Sequence, residues 1–215
     1  MPRFLLKIIV GSSLLSTLLF SGMSDESWLA LKKQYLLSKV ISQDATIRFG
    51  LAMTYAYTGF IEEGFKEIAT IPSLDPTFKT KVVDRYIRKT IINPTHWQHH
   101  WYLAFAYYIN EQKDDAILEF QKVADLANDV AIKGWAFGYI AYIYGERKDW
   151  PKAMIAINTA TKYEPEGAAL YFAKGIALKE TGDTVGAAGA IVMAGVLQAK
   201  QMTGKRSLSK LKNDQ

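Results

Sequence analysis

"GWAFGYIAYIYGERKDWPKAMIAINTATKYEP", residues 134–165, reads as two helices and the turn between them. On either side of "RKD" (147–149) apolar residues recur at three- and four-residue spacing, and nowhere do they alternate as a half-buried strand requires. Pro165 stands where the second helix must stop. Ala141 in the first helix and Ala153 in the second are small among large neighbours, and small residues at a helix crossing let two backbones approach closely. Tyr144 and Ile157 flank them in register.

The same spacing returns when the chain is cut into windows at 45–78, 97–130, 134–167 and 168–201. The small residue of the first helix is Ala52, Ala104, Ala141 and Gly175 in turn; that of the second is Gly64, Ala116, Ala153 and Ala187. Large residues keep the register: Tyr55, Tyr107, Tyr144 and Leu178, then Ile68, Phe120, Ile157 and Ile191. "TGF", "RKD" and "TGD" fall where a helix pair must turn. A unit of about 34 residues that recurs four times is the signature of a stacked-repeat architecture.

Period and pattern resemble the tetratricopeptide repeat family. In 134–165 the residues Ala141, Tyr144, Ala153, Ala160 and Pro165 fall on its signature places, and 97–130 matches with Leu103, Ala104, Tyr107, Ala116 and Phe120. Asn128 replaces the closing proline there, Gly64 replaces an alanine in the first window, and Lys174 occupies an apolar place in the last. The resemblance implies an all-α fold: a right-handed superhelical solenoid of antiparallel helix pairs, about four repeats plus an additional helix at 79–93. It also implies partner binding on the concave face, lined by the first helices of the pairs.

Offsets from the crossing residues place Phe49, Met53 and Tyr57, then Trp101, Phe105, Tyr108 and Ile109, then Tyr142, then Phe172 and Ile176 on that face. The family's peptide readers hold a terminal carboxylate with lysine and asparagine; here those places are aromatic or aliphatic. The expected partner is a protein offering an apolar or amphipathic segment. Self-occlusion of the groove by an amino-terminal helix at 25–44 is the competing expectation.

"PTHWQHHWYLAFAYY" (94–108) holds all three histidines, and it reads as a helix start with Pro94 ahead and Thr95 as N-cap. His96 and His100 are four apart, a zinc-compatible spacing, with His99 beside them. Trp97 stands where a metalloprotease glutamate would be, no carboxylate follows before Glu111, and the chain has no cysteine. His96, His99 and His100 are therefore the candidates of an alternative metal-binding or catalytic reading, and the expected role of His100 is packing. Phosphate loops and nucleophile elbows are missing from the sequence, so neither enzyme chemistry nor a cofactor is expected.

Charge locates further surfaces. The net +5 sits at the ends, in Arg3 and Lys7 and in the tail 202–215, while the intervening residues nearly balance. Nucleic acid is not an expected partner. Lys81, Arg85, Arg88 and Lys89 form a basic stripe on the additional helix; with the tail it supplies a second alternative, a membrane-surface adaptor. Residues 1–24 have a basic start and a short apolar stretch, the layout of a signal peptide or membrane anchor. The body is thus expected to be exported to the cell envelope, periplasm or exterior, or tethered to a membrane. The last helix is apolar nearly all round, and it is a candidate surface for homo-oligomer formation.

Overall fold

The computed structural model describes residues 25–202; the readings of 1–24 as a signal or anchor and of 203–215 as a tail lie outside them. Among the described residues there are ten helices and no strand. In chain order they are α1 (Asp25–Val40), α2 (Ala45–Thr58), α3 (Ile61–Leu74), α4 (Phe78–Ile92), α5 (Trp97–Ile109), α6 (Lys113–Leu126), α7 (Val130–Glu146), α8 (Trp150–Tyr163), α9 (Ala168–Glu180) and α10 (Thr184–Met202). Four antiparallel hairpins, α2–α3, α5–α6, α7–α8 and α9–α10, carry most of the packing, and α4 stands between the first two and lies on α5. The architecture is an all-α helical solenoid.

The four hairpins reverse by one device. A single residue takes the left-handed conformation: Gly59 (φ 87°), Glu111 (φ 62°), Lys148 (φ 59°) and Gly182 (φ 90°). The next residue then donates its N–H to the carbonyl of the large residue that marks the first helix. These bonds are Phe60 to Tyr55 (2.9 Å), Gln112 to Tyr107 (3.0 Å), Asp149 to Tyr144 (3.0 Å) and Asp183 to Leu178 (2.9 Å). Glycine adopts this conformation without steric cost, and two of the four turns do without it.

Crossing distances explain the small residues. A Cβ added to Gly64 would stand 3.1 Å from the Ala52 carbonyl oxygen, and one on Gly175 would stand 3.2 Å from that of Ala187. Ala104, Ala116, Ala141 and Ala153 are buried at the equivalent crossings. Backbones this close exclude larger side chains, so the alanine and glycine register is a packing requirement.

Two helix starts differ from the sequence reading. The cap of α5 is His96, not Thr95, because a turn closed by the His96 N–H on the Asn93 carbonyl carries the chain one residue further. Helix α7 begins at Val130, four residues before its window, since the Asp129 carboxylate accepts the Ala131 N–H at 2.9 Å and caps the helix there.

The solenoid curls back on itself. Tyr139 of α7 donates its hydroxyl to the Ala56 carbonyl of α2 at 3.3 Å, and Ile61 and Ala169 both pack beside a core of Leu31, Leu51, Tyr55 and Phe60. Helix α1 contributes Leu31, Trp28 and Tyr35 to that core from the outer side of α2. The hairpin α2–α3 thereby bridges the concave side toward α7 and α9.

Candidate functional site

The bridging hairpin turns the concave groove into a chamber of about 220 Å³. Its wall includes Met53, Phe105, Tyr108, Ile109, Tyr142, Phe172 and Ile176. The structure thus gathers seven of the ten residues read from offset along the first helices. Second helices contribute too: Ile61, Phe65 and Ile68 of α3 and Trp150 of α8 line it. So do Gly138, Tyr139, Ala169 and Ala173, whose positions depend on how far the solenoid curls rather than on any local pattern.

Phe49, Tyr57 and Trp101 are corrections. Trp101 has no exposed surface; its indole N–H donates to the Met53 carbonyl at 3.1 Å and its ring meets those of Tyr57, Phe105, Phe120 and Tyr139. Phe49 is enclosed by Phe78, Tyr86 and Tyr102. Tyr57 packs on Trp97 and Trp101, and burial pushes its phenol up to about 12. These three face inward in the first helices as read, but α4 and the return of α2 onto α7 cover them. They form core and are not presented to a partner.

One end of the chamber is polar. Tyr108 donates to both Glu146 oxygens at 3.1 Å, Tyr142 donates to Oε1 at 3.0 Å, and Lys113 Nζ lies 3.4 Å from Oε2. Burial first raises both phenols well above their ordinary range; Tyr142 is pushed further by Tyr108 and the Glu146 charge, and Tyr108 by Glu146 against a hydrogen bond with Tyr142 that lowers it. Both hydroxyls therefore stay protonated and serve as donors, and the carboxylate has its acceptor sites filled. Elsewhere the wall is nearly all hydrocarbon.

The histidines divide into two groups. His100 is buried between α5 and α6, with Nδ1 2.6 Å from Glu119 Oε2 and Nε2 donating to the Pro94 carbonyl at 2.8 Å. Glu119 also receives Lys122 Nζ at 2.6 Å. His96 and His99 stack with ring centroids 4.3 Å apart, and His99 is held below its usual range first by burial and then by the neighbouring His96. Among the described residues no three His, Cys, Asp or Glu side chains gather as a metal-ion site. The carboxylate that sequence spacing did not supply on α5 comes from α6, and it engages His100 as a packing partner.

On α4 the basic stripe is partly consumed. Lys81, Arg88 and Lys89 are exposed, but Arg85 is half-buried, bonded to the Thr46 hydroxyl of α2 and set 5.9 Å over the Phe78 ring. Lys89 lies 4.8 Å over the Tyr86 ring; although the residue is exposed as a whole, partial desolvation of its ammonium there, and then Arg85, hold it below the usual range.

No protein-family model matches this chain, nor does any curated protein. Among solved structures it is similar to "MamA RS-1 ArsTM double mutant", with a TM-score of 0.52, 14% identity, and coverage of 83% of this chain and 88% of that one. This chain has a fold of the tetratricopeptide-repeat type. "MamA MSR-1 C2" has a TM-score of 0.49 at 16% identity, covering 82% of this chain and 94% of that one. The tetratricopeptide-type likeness concerns backbone architecture: helix pairs, their turns and their stacking.

Proposed function

We propose that this protein is a non-enzymatic interaction scaffold whose concave chamber takes up apolar side chains of a partner protein. The observation that carries this reading is the chamber itself, about 220 Å³ with a wall of aromatic and aliphatic groups at the centre of a repeat fold. An apolar cavity of about 150 Å³ stays dry and accepts benzene. A whole helix, about 10 Å across, needs more room than this. One or two large apolar anchors of a partner segment match the volume, and its backbone would lie across the mouth. The Tyr108–Tyr142–Glu146 cluster forms the polar end without an unpaired charge. A preformed chamber makes such an anchor costly to omit and cheap to order. The basic, then apolar, layout of residues 1–24 supports placing this scaffold in the cell envelope or on a membrane.

Ala173→Trp tests the reading by filling the chamber from its rim while leaving the core rings in place. Selection of displayed random peptides against the native protein should enrich sequences with apolar anchors, and the Ala173→Trp protein should bind them at least tenfold more weakly. Absence of any enriched peptide, or equal binding by a folded Ala173→Trp protein, would refute it.

A further inference from the structure

The two ends of the solenoid present apolar stripes with the same spacing. On α1 the exposed large apolar residues are Leu29 (67%), Leu36, Leu37 and Val40 (83%); on α10 they are Val185 (83%), Ile191, Val192 (66%), Met193 and Val196. Leu29, Leu36, Leu37 and Val40, and likewise Val185, Val192, Met193 and Val196, follow i, i+7, i+8 and i+11, which puts each four on one side of its helix, with Ile191 beside the second. Between the ends, the hairpins and α4 pack on neighbouring elements, while α1 rests on α2 and α10 rests on α9. The outermost helix of a solenoid ordinarily shows water a polar face. Residues 184–199 of α10 include no charged side chain.

The stripes are also complementary in relief. Gly189 and Gly195 lie among the α10 valines, and nothing stands within 4 Å of where their side chains would begin. That makes the α10 surface low, whereas the α1 leucines stand out as a ridge, and ridge into groove is how helices pack. Charge separates the possible pairings. If α1 met another α1 about a two-fold axis, the exposed Lys33 in the middle of the stripe would face its own copy. A two-fold pairing of α10 with α10 would leave the α1 leucines in water. Antiparallel docking of α1 on α10 covers both stripes and brings Lys39, at one end of α1, toward Asp183, which precedes α10. The Lys33 alkyl stem then lies along the contact with its ammonium in solvent.

We infer that a second copy of this chain occupies each stripe, α1 of one molecule docking on α10 of the next. Each molecule then offers one α1 and one α10 surface, and used head to tail the contact is heterologous and carries from molecule to molecule. No described helix is long and apolar enough to cross a membrane, α10 included.

Sedimentation velocity on the full chain tests this with two variants, Leu36→Lys/Val40→Lys on α1 and Val192→Lys/Val196→Lys on α10. All four side chains are exposed, so helix content and melting should be unchanged. The native chain should grow in mass with concentration, and each variant alone should be monomeric. An equimolar mixture should restore a species of two chains that grows no further, because it retains one intact α1–α10 contact. That recovery also shows that both variants are folded. Three results would overturn the inference: a native chain monomeric at every concentration, an α1 variant that still dimerises through α10, or a mixture that stays monomeric. If the native chain is monomeric and associates only after removal of residues 203–215, its own tail is the cover.

Discussion

Replacing His100 by alanine removes two hydrogen bonds from the core, and the cost can be worked out from its partners. The ring gives one contact to a carboxylate at 2.6 Å in buried surroundings and one to a carbonyl at 2.8 Å in partly buried ones. A hydrogen bond to a charged group contributes about 1.5–3 kcal/mol and a neutral one about 0.5–1.5 kcal/mol. Glu119 keeps Lys122, a half-exposed partner, so its charge is not stranded altogether. The expected loss is about 3 kcal/mol, at the low end for breaking a buried pair. For a chain of this size that lowers Tm by roughly 6–12 °C. Glu119→Gln alone should cost about 1–2 kcal/mol, because the amide keeps the volume and one acceptor.

The informative measurement is the double-mutant cycle with His100→Leu and Glu119→Leu in urea denaturation. Changing both to apolar residues leaves the Pro94 carbonyl without its donor and Lys122, which is half-exposed, without its acceptor, so the double variant should lose about 1.5 kcal/mol less than the two single losses combined. Losses that add within about 0.3 kcal/mol would refute the claim that these side chains stabilise the fold as a pair. Each variant is folded or not by its own melting curve, so the cycle does not depend on any binding assay.

Glu164 is buried beside the α7–α8 hairpin, and burial pushes its carboxyl up to about 7 from an ordinary 4.5, against the Glu166 N–H that it accepts. Its ionisation therefore opposes folding: stability is full below about pH 4.5 and falls as pH rises through about 7. Glu164→Gln should remove about 1–3 kcal/mol of the difference in urea stability between pH 5 and pH 8, and an unchanged pH profile would contradict the assignment. Glu111 and Lys148 hold left-handed turns with a side chain present. Either residue changed to glycine should raise stability by about 0.5–1 kcal/mol, the left-handed strain relieved less the added chain entropy, as read by thermal melting.

The sequence by itself determined the helix pairs, their register and their turns. Each depends on contacts within about 34 residues: Ala52 against Gly64, Gly175 against Ala187, a left-handed residue between two helices. Local physics repeated four times leaves a period that can be read directly. The offset rule also found the chamber residues Met53, Phe105, Tyr108, Ile109, Tyr142, Phe172 and Ile176, because they sit on first helices that stack regularly. It did not separate them from Phe49, Tyr57 and Trp101, which have the same character and spacing. Only the tertiary structure decided that, through the small rotation accumulated from one hairpin to the next. Over several repeats it brings α2 back onto α7, joining Ala56 to Tyr139 across 83 residues of chain. The partner of His100 was hidden for the same reason, since Glu119 reaches it from the other helix of the hairpin. A groove becomes a chamber, and an exposed aromatic becomes core, by curvature that no single repeat encodes.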